Sequence, residues 1–330
     1  MMPYPWQQSQ WQNLQTARQQ GRLPHALLLT GPQGLGKTEF ARYLTQSLLC
    51  EETGTAGEPC GHCRACLLYQ AGNHPDVAFI SPLEGKKNIG VDQVREIGQY
   101  LTLKAQYSGY RVVVVAPAET MNVNSANSLL KTLEEPSQGT VLILVTARPA
   151  QLPATIRSRC QEIRFGAVTL EMGGEWLHAQ GITTDSVLLM ALANGAPLKA
   201  AGFADDNMIQ SRLEWFQTLE VLAKQEIDPV EVAAQQVKAG PAVSLHWLYV
   251  WSVDMARLKV SQQPPHLANR DIESRLLNLA DRVSLRNLML WLDRVQAALR
   301  EIDANFNSTL ILESLLIQWQ KLFATVALRS

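Results

Sequence analysis

The sequence predicts an α/β domain with a parallel sheet covered by helices on both faces, then a small helical domain and an all-helical C-terminal domain. Three observations predict this. Short apolar runs alternate with helical patterns as far as Phe165, the signature of strand–helix–strand winding. Several runs are continuously apolar and β-branched, which suits strands buried on both faces. After Phe165 the strand-like runs stop and only helical patterns continue.

The elements follow in order. Residues 25–30 (HALLLT) read as a buried strand. A glycine-rich turn follows, then a helix over 38–50 with Phe40, Ala41, Leu44, Leu48 and Leu49 on one face. A polar, cysteine-bearing segment spans 51–67, and 76–80 is a second short strand. Residues 91–103 suit a helix with Asp92 in its first turn. RVVVVA, 111–116, is a central strand; 124–135 is a helix ended by Pro136; VLILVT, 141–146, is another central strand. Residues 156–160 and 163–165 close the pattern.

Three short helices, 170–180, 186–193 and 197–203, are punctuated by Gly181 and Gly195. From Asn207 the pattern is longer amphipathic helices, with Ser284 capping 285–302 and Ser308 capping 309–324. The expected domains are 1–166 with an insert at 50–66, then 167–206, then 207–330. A length of 330 residues suits two or three domains.

Composition narrows the function classes. Apolar residues make up 46% and the net charge is −1. Nucleic-acid binding driven by overall charge is disfavoured, although a local basic patch stays open. The first twenty residues are polar and Gln-rich, unlike a secretory signal. No apolar run is long enough to span a membrane. A cytoplasmic location is expected.

Gly31-Pro32-Gln33-Gly34-Leu35-Gly36-Lys37-Thr38 fits the pattern G-x-x-x-x-G-K-[ST] at every position. Glycines let the backbone curl so that successive amides face phosphate oxygens. The helix that follows adds its positive end. Lys37 then reaches the β- and γ-phosphates, and Thr38 holds Mg²⁺. A loop of this kind that no longer binds nucleotide is the competing reading.

Hydrolysis needs more than a cradle. A carboxylate at the tip of a neighbouring strand holds the metal, and a second orients water. The strand at 111–115 runs instead into Ala116-Pro117-Ala118-Glu119. Neither Ala116 nor Pro117 can coordinate a metal, and Glu119 is displaced by two or three residues. Binding without turnover is the expectation.

Five cysteines are present, and Cys50, Cys60, Cys63 and Cys66 cluster. In a reducing compartment this spacing argues for metal over disulfides. Four thiolates suit tetrahedral Zn²⁺ in a closed structural site; an iron–sulfur cluster is the alternative. Gly61 eases the turn between the first close pair. His62 and His74 are read as non-ligands, and Cys160 as a small buried residue. In Arg157-Ser158-Arg159-Cys160, two arginines could make ordinary surface ion pairs.

The phosphate loop, the cysteine insert, Asn73-His74-Pro75-Asp76, the NSLLKTLEEP run from Asn127 to Pro136, and Arg157-Ser158-Arg159-Cys160 occur in this order. Together they resemble the bacterial clamp-loader subunits of DNA polymerase III, an AAA+ family. The likeness is strong to about Phe165 and continues by layout. Motor subunits (gamma/tau) of that family carry Asp-Glu where this chain has Ala116-Pro117. They also carry a nucleotide-contacting Arg in the segment that here reads Gly195-Ala196-Pro197-Leu198. These departures, the 90–97 segment GVDQVREI and the absence of a tau-like extension resemble the delta-prime type.

The resemblance implies a non-hydrolysing stator in a hetero-pentamer with gamma/tau motors and a delta subunit. That assembly loads a sliding clamp onto primed DNA. It implies Arg159 as an arginine finger, on a strand-to-helix connection, reaching ATP on a neighbouring motor subunit. It also implies Gly31, Gly34, Gly36, Lys37 and Thr38 as nucleotide contacts, with ATP or ADP and Mg²⁺ held without hydrolysis. Thr146 matches the first sensor position. The C-terminal helices form a collar whose outward residues include some of Leu310, Ile311, Leu315 and Trp319. An active motor ATPase and a zinc-dependent nucleic-acid-binding module are the alternatives.

Overall fold

The computed structural model describes residues 3–107, 109–261, 264–303 and 306–324. The chain divides into two compact units, one comprising Met1–Met172 with Ala196–Lys199, the other Gly173–Gly195 with Ala200–Ser330.

The first unit begins with α1 (Gln8–Gln19) and β1 (Ala26–Thr30), then α2 (Lys37–Leu49), α3 (Arg64–Gln70), β2 (Val77–Ile80) and α4 (Val91–Thr102). It continues with β3 (Arg111–Val115), α5 (Val123–Glu134), β4 (Thr140–Thr146), α6 (Ala154–Arg157) and β5 (Gln161–Arg164). The five strands form one parallel sheet in the order β2-β3-β4-β1-β5. Every residue of β1, β3 and β4 is buried, as a sheet covered on both faces requires. Thr30 pairs with Thr146 and with Arg164, and Val115 pairs with Leu144. The register therefore brings the carboxyl ends of these strands together, where open α/β sheets bind ligands.

One face of the sheet packs Leu28, Val113, Val115, Leu142 and Leu144 against Ile97 and Leu101 of α4 and Leu129 and Leu133 of α5. Elsewhere in the unit Phe40 of α2 meets Phe165 and Trp11 at ring separations of 5.1 and 6.1 Å.

Asp76 and Arg111 form a buried pair at 2.9 Å. The second Asp76 oxygen accepts the amides of Gln106 and Tyr107 at 2.8 and 3.1 Å. Arg111 also donates to the carbonyls of Lys104 and Tyr100. This network fixes the connection into β3.

Two predicted features differ. Residues 156–160 are not extended: Ile156 and Arg157 end α6, and the strand starts at Gln161. Ile156 is the one fully buried residue of that short helix, so its apolar side chain marks a helix anchor. Ser308 is not the cap of the last helix. The Asn307 side chain accepts the amides of Thr309 and Leu310 at 3.0 and 3.3 Å.

The second unit is helical. α7 (Leu170–Ala179) leads into it, and α8 (Ser186–Leu192) lies within it; α9 (Pro197–Gly202) crosses the boundary between the units. Then follow α10 (Asp206–Ala223), α11 (Pro229–Ala239), α12 (Pro241–Val260), α13 (Glu273–Asp281), α14 (Leu285–Asp303) and α15 (Ser308–Ala324). Trp251, Trp291 and Trp319 are its largest buried side chains. Trp291 donates to the Ser252 hydroxyl at 2.8 Å and Trp319 to the Leu219 carbonyl at 3.0 Å, whereas the buried Trp251 Nε1 has no hydrogen-bond partner among the described residues. Leu315 and Trp319 are thus core residues, whereas Leu310 is exposed. Ser284 does cap α14, accepting the Asn287 amide at 3.2 Å. Among the described residues no helix is long and apolar enough to cross a membrane.

Candidate functional site

The loop from Gly31 to Gly36 joins β1 to α2. Gly31, Gly34 and Gly36 all have positive φ, at 139°, 81° and 74°, where side chains are strained. Space is also short. A Cβ at Gly31 would lie 2.2 Å from the Phe165 carbonyl oxygen, and one at Gly34 2.8 Å from Lys199 Cβ. Gly36 caps α2 without a side-chain acceptor. The first amides of α2 therefore have no capping side chain and suit an anion.

Lys37 is nearly buried, and its Nζ donates to the carbonyls of Gly31 and Pro32, both at 2.6 Å. Burial pushes its pKa below the ordinary 10.5, while the charges of Glu119 and Glu39 draw it partly back.

The chain segment before α1, which carries no motif, also packs on the loop. Trp6 Nε1 donates to the Leu35 carbonyl at 3.0 Å. The wholly buried Gln7 donates from Nε2 to the carbonyls of Leu35 and Gly36 at 2.8 and 2.9 Å. A Cβ on Gly36 would stand 2.5 Å from Tyr4 Cε2.

Opposite the loop, the ends of β3 and β4 complete a cleft of about 310 Å³. Gly34, Gly36, Lys37 and Thr38 line one side, and Ala116, Pro117, Glu119 and Thr146 line the other. Ala116 and Pro117 bring no metal ligand to the strand tip. Glu119 does enter the cleft, although its place in the sequence is displaced. The short 3-10 turn Ala118–Thr120 carries it there. Its Oε1 accepts the Ala147 amide at 3.1 Å, and Oε2 is buried with no hydrogen-bond partner among the described residues. The Thr146 hydroxyl accepts the Arg148 amide at 3.0 Å. Leu198 also lines the cleft, and its amide donates to the Gly34 carbonyl at 3.1 Å. An aliphatic side chain therefore occupies that wall.

Arg159 lies on a helix-to-strand connection, between α6 and β5, and not on the strand-to-helix connection expected. Its Nη1 donates to the Thr155 carbonyl at 3.0 Å, and its Nη2 pairs with Glu134 Oε1 at 2.6 Å. The side chain remains 36% exposed.

The Cys50, Cys60, Cys63 and Cys66 sulfurs lie within 4.8 Å of one another. Cys50 and Cys63 Sγ are 3.9 Å apart. That is far beyond the ~2.05 Å of a disulfide. It is close to the ~3.8 Å between sulfurs around a tetrahedral ion with ~2.3 Å metal–sulfur bonds. The amides of Cys60, Cys63 and Cys66 donate to Cys50, Cys60 and Cys63 Sγ at 3.3, 3.3 and 3.4 Å. Gly61 turns the chain with a φ of 79°. Burial pushes the Cys63 thiol up, but the Cys66 amide and further donors outweigh it and bring it down to about 7. Burial raises the Cys50 and Cys66 thiols. These four residues could hold one metal ion with no open position. His74 is not among them; its Nδ1 accepts the Asp76 amide at 3.1 Å. Cys160 is half-buried against the core beneath the sheet.

Comparison with known proteins bears on this arrangement. The family model described as "DNA polymerase III, delta subunit" matches residues 6–169, and "DNA polymerase III, delta subunit, C terminal" matches residues 190–321. The DNA polymerase III subunit delta' of Pseudomonas aeruginosa is 34% identical over 325 residues, covering 97% of this chain and 98% of that protein. The subunit delta' of Escherichia coli K12 is 34% identical over 294 residues, covering 88% of this chain and 87% of that protein. The subunit tau of Bacillus subtilis is 36% identical over 156 residues, 47% of this chain and 27% of that protein.

Proposed function

Because the chain belongs to the DNA polymerase III delta' family, we propose that it is the non-hydrolysing stator of a clamp loader. The carrying observation is the tip of β3. In the phosphate cradle that runs from Gly31 to Thr38, Gly34, Gly36, Lys37 and Thr38 face Ala116 and Pro117, where metal and water need carboxylates. ATP or ADP with Mg²⁺ sits in the cradle and is not cut. Leu198, on the cleft wall, supplies no cation to the phosphates.

Turnover then belongs to gamma/tau motor subunits. This chain joins them and a delta subunit in a hetero-pentamer that places a sliding clamp on primed DNA. Arg159 reaches in trans to the γ-phosphate on a neighbouring motor subunit and offsets the charge that develops there. Its exposure and its place beside the sheet support that role. Cys50, Cys60, Cys63 and Cys66 hold a structural Zn²⁺; all-sulfur ligation and closed geometry favour zinc. The 1–166, 167–206 and 207–330 division assigns nucleotide, lid and collar roles in that order.

The experiment is reconstitution of the loader with Arg159→Ala. DNA-stimulated hydrolysis falls by at least ~100-fold with assembly intact. Unchanged hydrolysis would remove the finger. An active motor would show Lys37-dependent turnover as the isolated chain. A nucleic-acid module would retain primed DNA alone, with steep salt dependence.

A further inference from the structure

We infer that Glu134 is a positioning residue for Arg159, holding the guanidinium in the orientation it needs at the neighbouring subunit's phosphate. The inference rests on the trans role proposed above and adds a residue to it.

The Glu134 carboxylate ends α5, and Glu135 follows as the C-cap. A carboxylate there opposes the negative end of the helix dipole, where a cation is the favoured choice. The helix itself gains nothing from Glu134. Its Oε1 instead meets Arg159 Nη2 at 2.6 Å, a short charge-assisted contact. The second anchor, Thr155 carbonyl to Nη1 at 3.0 Å, comes from the one-turn α6. Both terminal nitrogens are therefore fixed, from two different elements.

A guanidinium carries five N–H donors. Among the described residues two are engaged, and three remain for phosphate oxygens. An unrestrained arginine would have to be ordered as the complex forms, at a cost in rotamer freedom. Pre-ordering removes part of that cost, and a finger misplaced by about 1 Å forfeits much of its rate effect. Exposed ion pairs contribute little to fold stability; with side-chain exposures of 36% and 50%, this pair is placed to act on orientation and not on folding.

The test is a double-mutant cycle in the reconstituted loader: wild type, Glu134→Ala, Arg159→Ala and both, with Glu134→Gln as the conservative variant. DNA-stimulated hydrolysis is measured as kcat and KM for ATP, and assembly is checked by gel filtration. Glu134→Ala lowers kcat roughly tenfold with KM little changed. Glu134→Gln, which keeps an acceptor oxygen, restores part of the loss. In the Arg159→Ala background the Glu134 substitution has no further effect. An equal loss in both backgrounds, or none in either with Arg159→Ala still impaired, overturns the positioning role and leaves the finger standing. A loss of assembly on Glu134→Ala also overturns it, in favour of a structural role. Full activity of Arg159→Ala overturns the finger reading itself, and this inference with it.

Discussion

Glu119 Oε1 accepts the Ala147 amide at 3.1 Å, which ties the turn after β3 to the end of β4. The same carboxylate lines the phosphate cleft and draws the Lys37 pKa upward against burial. Lys37 nevertheless titrates below 10.5 in the folded chain. Between that lowered value and 10.5 the unfolded chain binds more protons, so this residue's contribution to stability rises with pH. Urea unfolding at a series of pH values rising toward 10.5 checks it. The stability of wild type relative to Lys37→Met increases with pH, and Glu119→Gln steepens the trend. A difference that stays flat would contradict the burial argument.

The loop glycines should differ in tolerance. A Cβ at Gly31 meets the Phe165 backbone at 2.2 Å, whereas one at Gly36 meets the Tyr4 ring at 2.5 Å. The Phe165 backbone follows directly on β5 and is anchored by its amide to the Thr30 carbonyl at 2.8 Å, so it yields little, but the Tyr4 side chain can swing aside. Gly31→Ala therefore lowers stability by about 2–4 kcal/mol, and Gly36→Ala by about 1–2 kcal/mol. Thermal melts of the two variants give the order directly.

Breaking the Asp76–Arg111 pair leaves a buried charge without its partner. Asp76→Asn or Arg111→Met alone costs about 3–5 kcal/mol, and the double variant costs less than the sum. Denaturant titration measures both.

Metal binding at the cysteine cluster couples to folding and to pH. With Cys50 and Cys66 raised by burial, binding a cation expels protons, so affinity falls as pH falls. One zinc per chain is expected by metal analysis. Cys63→Ser abolishes it and lowers the melting temperature, as chelation of the wild type does.

Much of this was legible in the sequence, for identifiable reasons. β1, β3 and β4 are continuous apolar runs, and a strand buried on both faces has no other pattern. The phosphate loop and the cysteines are local in sequence, so spacing alone brought them together. Non-local contacts were hidden. Gln7 reaches Leu35 and Gly36 only because the chain start folds over the loop. Glu119 enters the cleft through a 3-10 turn that residue counting does not reveal. At Ile156 one apolar side chain anchored a single helical turn and mimicked a strand. At Asn307 and Ser308 two good caps are adjacent, and only geometry decides between them.

Single-turnover hydrolysis of ATP by the purified chain, with protein in excess, tests the central claim most directly. Ala116 and Pro117 at the strand tip predict bound nucleotide that is recovered intact at the no-protein rate. A hydrolysis phase that disappears with Lys37→Ala would contradict it and make this chain a motor.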